Sequence, residues 1–290
     1  MKHIKPLLAT CALAATIIAA EPWELGINAN LMGTMNSYSK SWVGKEEGNF
    51  AWQTNFVGDA NIQIAPAFRI ENNLQVQFGK SKIQPVDDDG NRGSWQEWAV
   101  SSDKIDFQNL EIFTINERIV SPFIGARVQT TFMDQVPDNH KVKYFNLVTT
   151  SQSAGAQFVV LNNQRNQNMT WRLGAATYQR INRKINTDHD AGAELVGNYS
   201  ANLKEGLMTY TMYLNLYQPF VASDRDNDKW KAMKVDWRND LGINVTRFVM
   251  ISYSAQVLYD REWCEDAQFR QMLSAGFTIA ANNDKRRNRE

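Results

Sequence analysis

Apolar and polar residues alternate along most of this chain, in stretches of roughly ten to fifteen residues. Successive side chains of a β-strand point to opposite faces, so this alternation predicts strands with one apolar and one polar face. Residues 52–64 are typical of the pattern. The apolar face there carries Trp52, Thr54, Phe56, Gly58, Ala60, Ile62 and Ile64, and the other face carries Gln53, Asn55, Asp59, Asn61 and Gln63.

Twelve strands can be assigned from this pattern, beginning with residues 24–36. The last four, near residues 208–216, 235–245, 249–259 and 268–279, alternate most regularly. The strand near residues 104–116 is less regular, because both of its faces carry apolar residues. An even number of strands is typical of single-chain bacterial barrels in the outer membrane.

The connections between the strands alternate in length. Those near Pro66, Glu117, Asn163, Asn202 and Thr246 are short, whereas residues 37–49, 85–103, 134–151, 180–190, 219–231 and 261–267 form longer polar segments. Short turns on the periplasmic side and long loops outside are characteristic of outer-membrane barrels. We therefore predict an all-β fold, a single transmembrane antiparallel up-and-down β-barrel of about 12 strands.

A soluble lipocalin-like barrel or sandwich is the competing architecture, since its strands alternate too, with the apolar face inward. Barrel diameter grows with strand number, so twelve strands around an apolar interior would leave a cavity that side chains hardly fill. The polar face also carries charges in mid-strand, such as Asp59, Arg127 and Arg172. A water-filled or ion-paired interior tolerates these charges, which favours the membrane barrel.

Composition agrees with a barrel rather than a bundle of membrane helices. The 290 residues have a formal net charge of zero, and the mean hydropathy is −0.46. Residues 1–20 resemble a signal peptide, with Lys2 and Lys5 before a short apolar segment. We predict a barrel over residues 21–280 and a polar, basic tail over residues 281–290. Aromatic residues expected in the interfacial girdles are Trp52, Tyr178, Tyr199, Tyr210, Trp237, Tyr253, Tyr259 and Phe277.

The polar face supplies the candidate functional residues, which we expect to line the lumen. They are Asp59, Asp106, Arg127, Arg172, Glu194, Asp236, Arg238, Asp240 and Arg270. If the opposite charges are segregated, their field would orient polar solutes inside a pore. If they are paired, planar guanidinium groups would bridge carboxylates and close the lumen. The sequence is compatible with both arrangements.

Catalytic and metal-binding motifs are weak in this chain. After the signal segment the histidines are His140 and His189, both in predicted external loops, so a Ser–His pair on the lipid-facing wall is not expected. Asp188 and Asp190 flank His189, which keeps a barrel hydrolase only as a minor alternative. Asp224, Asp226 and Asp228 have the spacing of a calcium loop, but the Gly and Glu at its sixth and twelfth positions are missing. We predict no catalytic residue, no cofactor and no metal site, and Cys264 is expected to be a lone thiol.

Short motifs resemble the bacterial domain-of-unknown-function family three-zero-seven-eight, found mainly in Bacteroidota-like envelopes. The C-terminal half carries Val235-Asp236-Trp237-Arg238-Asn239-Asp240-Leu241, Ile243, Val257-Leu258-Tyr259-Asp260 and Ser274-Ala275-Gly276-Phe277. The first half adds Trp42, Gly48-Asn49, Lys104-Ile105-Asp106, Phe123, Arg127 and Phe132. The resemblance extends over most of the chain after the signal segment. It implies an outer-membrane β-barrel and implies no particular activity.

Together these observations predict an outer-membrane protein that passes small hydrophilic solutes through a charged lumen. The alternative is a non-transporting envelope barrel whose lumen is closed by ion pairs and whose loops bind a surface ligand. Expected partners are outer-membrane lipid and lipopolysaccharide, the barrel assembly machinery and small hydrophilic solutes, with no nucleic acid.

Overall fold

The computed structural model describes residues 23–37, 47–87, 91–115, 120–135, 142–145, 148–163, 167–182, 185–223, 231–261 and 265–282. Within these ranges, twelve antiparallel strands pair with their neighbours and close into one barrel, with the first strand against the last. The predicted fold class, strand number and up-and-down order are therefore confirmed. Across the described part of the chain, no helix has the length and apolar character needed to cross a membrane.

The barrel strands are long, and β1 begins and ends where the alternation predicts. Their bounds are β1 Glu24–Asn36, β2 Gly48–Ala65, β3 Phe68–Gln84, β4 Ala99–Phe113, β5 Val120–Thr130, β8 Val148–Asn163, β9 Gln167–Asn182, β10 Ile185–Leu203, β11 Met208–Ala222, β12 Lys234–Asn244, β13 Val249–Tyr259 and β14 Gln268–Asn282. Two short strands outside the barrel, β6 Met133–Gln135 and β7 Val142–Tyr144, pair with each other. A 3-10 turn, Lys204–Gly206, joins β10 to β11.

One rim of the barrel holds the short connections, and we call it the tight rim. At this rim lie the strand ends that flank residues 66–67, 114–119, 164–166, 204–207 and 245–248, together with the start of β1 and the end of β14. At the opposite, loose rim lie the strand ends that flank residues 37–47, 85–98, 131–147, 223–233 and 260–267. The sixth connection at this rim departs from the prediction, because only residues 183–184 separate β9 from β10.

The predicted loop 180–190 is thus wrong, and most of it extends the β9–β10 hairpin. Asp188 pairs with Arg180, and His189, expected in a loop, pairs with Gln179. These residues are polar, but strand pairing continues beyond an apolar band because the backbone ladder does not require apolar side chains. The strand predicted at 104–116 likewise lies earlier, at Ala99–Phe113, since residues before Lys104 also pair with β3.

The outer surface of the barrel is apolar and exposed. Leu273 is 66% exposed, Phe277 63% and Leu31 49%, and Leu31 and Phe277 are direct partners across the β1–β14 seam. Soluble monomers rarely expose an apolar surface that extends around the whole molecule. A band of this kind is what a lipid bilayer covers, as in other transmembrane barrels.

The irregular pattern of β4 has a packing explanation. Leu110 and Ile112 lie on the inward face and form a small buried cluster with Phe123 of β5. Phe107 and Phe113 of the same strand lie on the outward face and are exposed. Both faces of β4 are therefore apolar near the tight rim, because one contacts a local interior core and the other belongs to the outer band.

Gly155 of β8 and Gly174 of β9 are direct partners whose backbones approach too closely for a side chain on Gly155. A Cβ there would overlap Leu173 O and Gly174 Cα, both backbone atoms. We expect Gly155→Val to lower the free energy of unfolding by about 1–3 kcal/mol, the range for forced overpacking. Urea titration in detergent micelles measures it. Gly33→Val is the control, since a Cβ there lies 3.9 Å from Ala51 O; an equal loss in both variants would contradict the explanation.

Candidate functional site

The nine predicted lining residues lie on one face of the sheet, as the strand register requires. Asp236 is opposite Asn215, Arg238 opposite Tyr213 and Asp240 opposite Ser254, and the other members alternate in the same phase. A hydrogen bond shows that this face is the interior. Arg127 Nη1 of β5 donates to Tyr213 Oη of β11 at 2.9 Å, although three strands separate β5 from β11 in the sheet.

Asp106 is the centre of the interior network and is only 4% exposed. Arg127 donates to both of its oxygens, from Nε at 2.8 Å and from Nη2 at 2.6 Å. Gln129 Nε2 donates at 3.0 Å, and Lys104 Nζ lies 2.7 Å from the same Oδ2. A bidentate guanidinium and an ammonium group therefore both pair with this buried carboxylate, and charge-assisted bonds of this kind are stronger than neutral ones. The arrangement fixes the direction in which Arg127 extends into the lumen.

Tyr213 completes a bridge across the lumen, which we call the Arg127–Tyr213 bridge. Its ring lies between two guanidinium groups, with Arg127 Cζ 5.7 Å and Arg238 Cζ 5.2 Å from the ring centroid. Arg238 is in turn held by an ion pair with Asp236 on the same strand. The Arg127 side chain is bound to Asp106 of β4, and the Tyr213 ring links it to Arg238 of β12. Cation–π contacts of this kind are strongest where water is excluded.

Glu194 extends the network toward β9. Tyr178 Oη and Asn215 Nδ2 both donate to Glu194 Oε1 at 2.7 Å. Asn215 Nδ2 also lies 3.4 Å from Tyr213 Oη, which links Glu194 to the bridge. The prediction that Tyr178 belongs to an interfacial girdle is wrong. It faces inward because it shares the strand phase of Arg172, and its hydroxyl donates a hydrogen bond to the Glu194 carboxylate.

Arg172 is a second deeply buried cation, 4% exposed, beside the bridge. Its guanidinium lies over the Phe123 ring, with Cζ 5.6 Å from the centroid. With its amide oxygen turned toward Arg172, Gln108 accepts from both terminal nitrogens at 3.1 and 3.2 Å. Among the described residues, Arg172 Nε has no hydrogen-bond partner. A cavity of about 10 Å³, close to the space that one water needs, lies between Arg127, Arg172 and Tyr213.

A separate charged cluster lies in the interior near the loose rim. Asp190 accepts from Tyr217 Oη at 2.6 Å, and Arg180 and Lys234 each lie 3.4 Å from its Oδ2. The same two cations lie 3.9 and 3.6 Å from Asp260. Side chains from β9, β10, β11 and β12, together with Asp260 after β13, thus form one cluster on the inner wall. Near the tight rim, Arg69 pairs with Glu24 and Glu71, each at 2.8 Å.

Three predicted lining residues lie outside these clusters. Asp59 accepts from Asn73 Nδ2 at 2.8 Å, and Asp240 accepts from Ser254 Oγ at 2.5 Å. Arg270 is exposed on the inward face and makes no ion pair with a residue of the described ranges. The structure therefore groups six of the nine around the bridge and leaves these three apart.

The sequence pattern missed several members of the site. Tyr213 and Tyr178 could have been included from strand phase alone, because each alternates with apolar residues on its own strand. Arg180 and Asp190 were assigned to a loop, although they lie in strands and face inward. Contacts across the lumen leave no pattern in the local sequence, because they depend on the shear of the closed barrel, which is the stagger between its strands.

The remaining chemical candidates are partly outside the described residues, which include neither His140, Cys264 nor Asp224, Asp226 and Asp228. His189 lies at the outer end of β10, and its backbone N–H donates to Ser223 Oγ at 2.9 Å. Asp87 accepts from the backbone N–H of Asn91 at 2.7 Å. Within the described ranges, no group of three His, Cys, Asp or Glu side chains could hold a metal ion.

No family model and no curated protein matches this chain, so the resemblance to family three-zero-seven-eight stays a prediction. Solved structures with a similar course include an outer membrane channel from Pseudomonas putida F1, at 11% identity and a TM-score of 0.45, covering 91% of this chain and 97% of that one. The translocator domain of the autotransporter NalP from Neisseria meningitidis matches at 7% identity and 0.36, over 96% and 95%. A BenF-like porin from Pseudomonas fluorescens Pf-5 matches at 9% and 0.27, over 90% and 98%. At these low scores the fold assignment rests on the strand pairing of the chain itself: it is a closed, twelve-stranded antiparallel barrel.

Proposed function

We propose that this chain is an outer-membrane channel through which small hydrophilic solutes pass, and that the Arg127–Tyr213 bridge is its constriction. The observation that carries the proposal is the charge along the whole interior, from Arg69 near the tight rim to Lys234 near the loose rim. Burying charges in a dry interior costs free energy that apolar packing would avoid. A charged interior therefore supports a path for water and ions.

The bridge also determines the expected selectivity. Around it lie four cations, Lys104, Arg127, Arg172 and Arg238, and three carboxylates, Asp106, Glu194 and Asp236. One positive charge is thus in excess. Rings of cationic side chains favour anions in pores, so we propose a weak preference for small anions. The proposal includes no catalytic step, cofactor or metal.

Single-channel recording in a planar lipid bilayer tests this function. Wild-type protein is expected to give small, stable current steps, and Tyr213→Ala larger ones, because the bridge loses its central ring. Arg127→Ala is expected to raise the conductance and to shift the reversal potential in a salt gradient toward cations. Arg270→Ala is the matched control, since it removes an inward arginine outside the bridge. An equal increase in that control would contradict the constriction.

A non-transporting barrel is the second candidate, and the bridge itself favours it. Side chains of β5 and β11, four positions apart in the closed sheet, meet in the lumen at 2.9 Å, which is how closure by side-chain contacts would look. In that case wild-type protein and Arg127→Ala would both be silent in the bilayer. Heat-modifiable migration on gels establishes first that each variant is a folded barrel. Silence of a folded protein in all variants would overturn the channel and leave the closed envelope barrel.

In this proposal the tight rim faces the periplasm and the loose rim faces outside, after export directed by the predicted signal peptide. The exposed apolar band then contacts lipid, and the barrel assembly machinery inserts the strands. Lipopolysaccharide surrounds the outer half of the band.

A further inference from the structure

We propose that the outer surface of β2 and β3 holds the phosphate group of an outer-leaflet lipid at Lys80 and Lys82. This proposal rests on the membrane placement given above, but it does not require an open lumen. The surface consists of these two lysines with Phe50, Trp52, Phe78, Trp95 and Trp98, and we call it the lysine–aromatic surface.

Both lysines lie on the outward face of the barrel, near the loose rim. Lys80 is opposite Trp52 and Lys82 is opposite Phe50. They continue the outward-facing positions of Val76 and Phe78. Lys80 lies four residues, and Lys82 two residues, before β3 ends at Gln84. On a strand, residues two apart are about 7 Å apart on one face. Two positive charges therefore lie close together at the edge of the apolar band that is nearer the loose rim.

Aromatic rings surround the ammonium group of Lys82. Its Nζ lies 5.9 Å from the Phe50 centroid, 5.0 Å from Trp95 and 5.2 Å from Trp98. The rings also support one another, because Phe50 and Trp98 meet edge to face at 5.4 Å. Cation–π contacts position an ammonium group without neutralising it. Aromatic rings at this height are also the side chains that barrels place at the headgroup level.

Neither lysine has a carboxylate partner among the described residues. Asp103 lies opposite Phe78 on the same outer face, but its hydrogen bonds within the described residues are to the backbone rather than to a lysine. It accepts from the backbone N–H groups of Phe132 and Met133, both at 2.7 Å. The charge of the lysine–aromatic surface is therefore complementary to an anion that the described residues do not supply.

The surroundings favour a lipid over a free anion. Phe78 and Val76 follow the lysines on the outer face toward the tight rim. The ring centroids of Trp52 and Phe78 are 6.0 Å apart. A ligand that covers this surface needs a phosphate for the ammonium groups and acyl chains for the apolar strip beneath. Phosphorylated glycolipid of the lipid A type has both, and basic residues at a membrane surface contribute about 1 kcal/mol each toward an anionic lipid.

Native mass spectrometry of the full chain in neutral detergent tests the site, with bis-phosphorylated lipid A and its dephosphorylated form as probes. We expect wild-type protein to retain the phosphorylated form preferentially. The double variant Lys80→Gln/Lys82→Gln is expected to bind it roughly 30-fold more weakly, from two lysines at the value above. Lys80→Arg/Lys82→Arg should retain binding. Lys204→Gln, which removes an exposed lysine at the tight rim, is the matched control and should bind as wild type.

The proposal would be overturned by equal retention of both lipids, by a double variant within about twofold of wild type, or by an equal loss in Lys204→Gln. Displacement of the lipid by an equimolar amount of inorganic phosphate would also overturn it, since phosphate alone would then be the ligand. Channel recordings of the double variant are expected to match wild type, because the surface lies outside the lumen. If the protein binds phosphorylated lipid but conducts no current, only the proposed channel is refuted. If it conducts current but shows no preference for phosphorylated lipid, only this lipid site is refuted.

Discussion

Asp106→Ala is expected to lower the free energy of unfolding by about 3–5 kcal/mol, the range for removing one partner of a buried ion pair. The carboxylate is nearly inaccessible and holds the side chains of Lys104, Arg127 and Gln129. Without it, Lys104 and Arg127 would remain beside each other in the interior without their shared carboxylate partner. The loss is therefore mainly the cost of the two cations that stay, rather than the strength of the lost pair.

Urea titration in detergent micelles, followed by tryptophan fluorescence, measures this effect. Asp240→Ala is the matched control, because that inward aspartate accepts one hydrogen bond from Ser254 and has no ion pair among the described residues. We expect the control to lose about 1 kcal/mol, the value of a single hydrogen bond. The double variant Asp106→Ala/Lys104→Met should recover part of the loss. Equal losses at Asp106 and Asp240 would contradict the network.

Leu273→Arg is expected to cost about 2–4 kcal/mol, the range for an arginine on the lipid face near the middle of a barrel wall. Leu273 lies outward on β14, 66% exposed, opposite Tyr253. In a bilayer the new guanidinium would have to leave water, whereas in a soluble barrel it would simply become an exposed charge. Leu273→Arg therefore distinguishes a barrel embedded in a bilayer from a soluble barrel. Compared with an inward-facing variant, it also distinguishes the outer face from the inner face.

Met272→Arg is the control, one position away and on the inward face. It lies opposite Ser254, which is itself opposite Asp240, so the new charge would meet a carboxylate across the strands. We expect its unfolding free energy in lipid vesicles to stay near that of wild type. If both variants unfold at the same urea concentration in vesicles, the assignment of outer and inner faces fails.

The strands could be predicted because alternation with a period of two is a local property of the chain. The bounds of β1 and the phase of the last four strands follow from it directly. The β9–β10 hairpin was harder, since its outer part is polar and resembles a loop. The length of a strand beyond the apolar band depends on backbone pairing, which leaves no hydrophobic signal.

The candidate site was only half predictable, for a related reason. Asp106 and Arg127 lie on neighbouring strands, and strand phase places them on the same inward face. Tyr213 lies 86 positions from Arg127 in sequence, and their contact depends on the diameter and shear of the closed barrel. Neither quantity can be obtained from alternation, so the choice between segregated and paired charges needed three-dimensional coordinates.

The Arg127–Tyr213 bridge consists of wall side chains, with no folded-in loop or plug domain among its members. Side-chain rotations occur within nanoseconds where they are unhindered, far faster than movements of loops or domains. If the chain is the channel proposed above, we expect this bridge to open by side-chain rotation, without a rearrangement of the strands. Amide exchange would then report one backbone conformation, while a current trace with sufficient bandwidth would resolve rapid flicker between conductance levels.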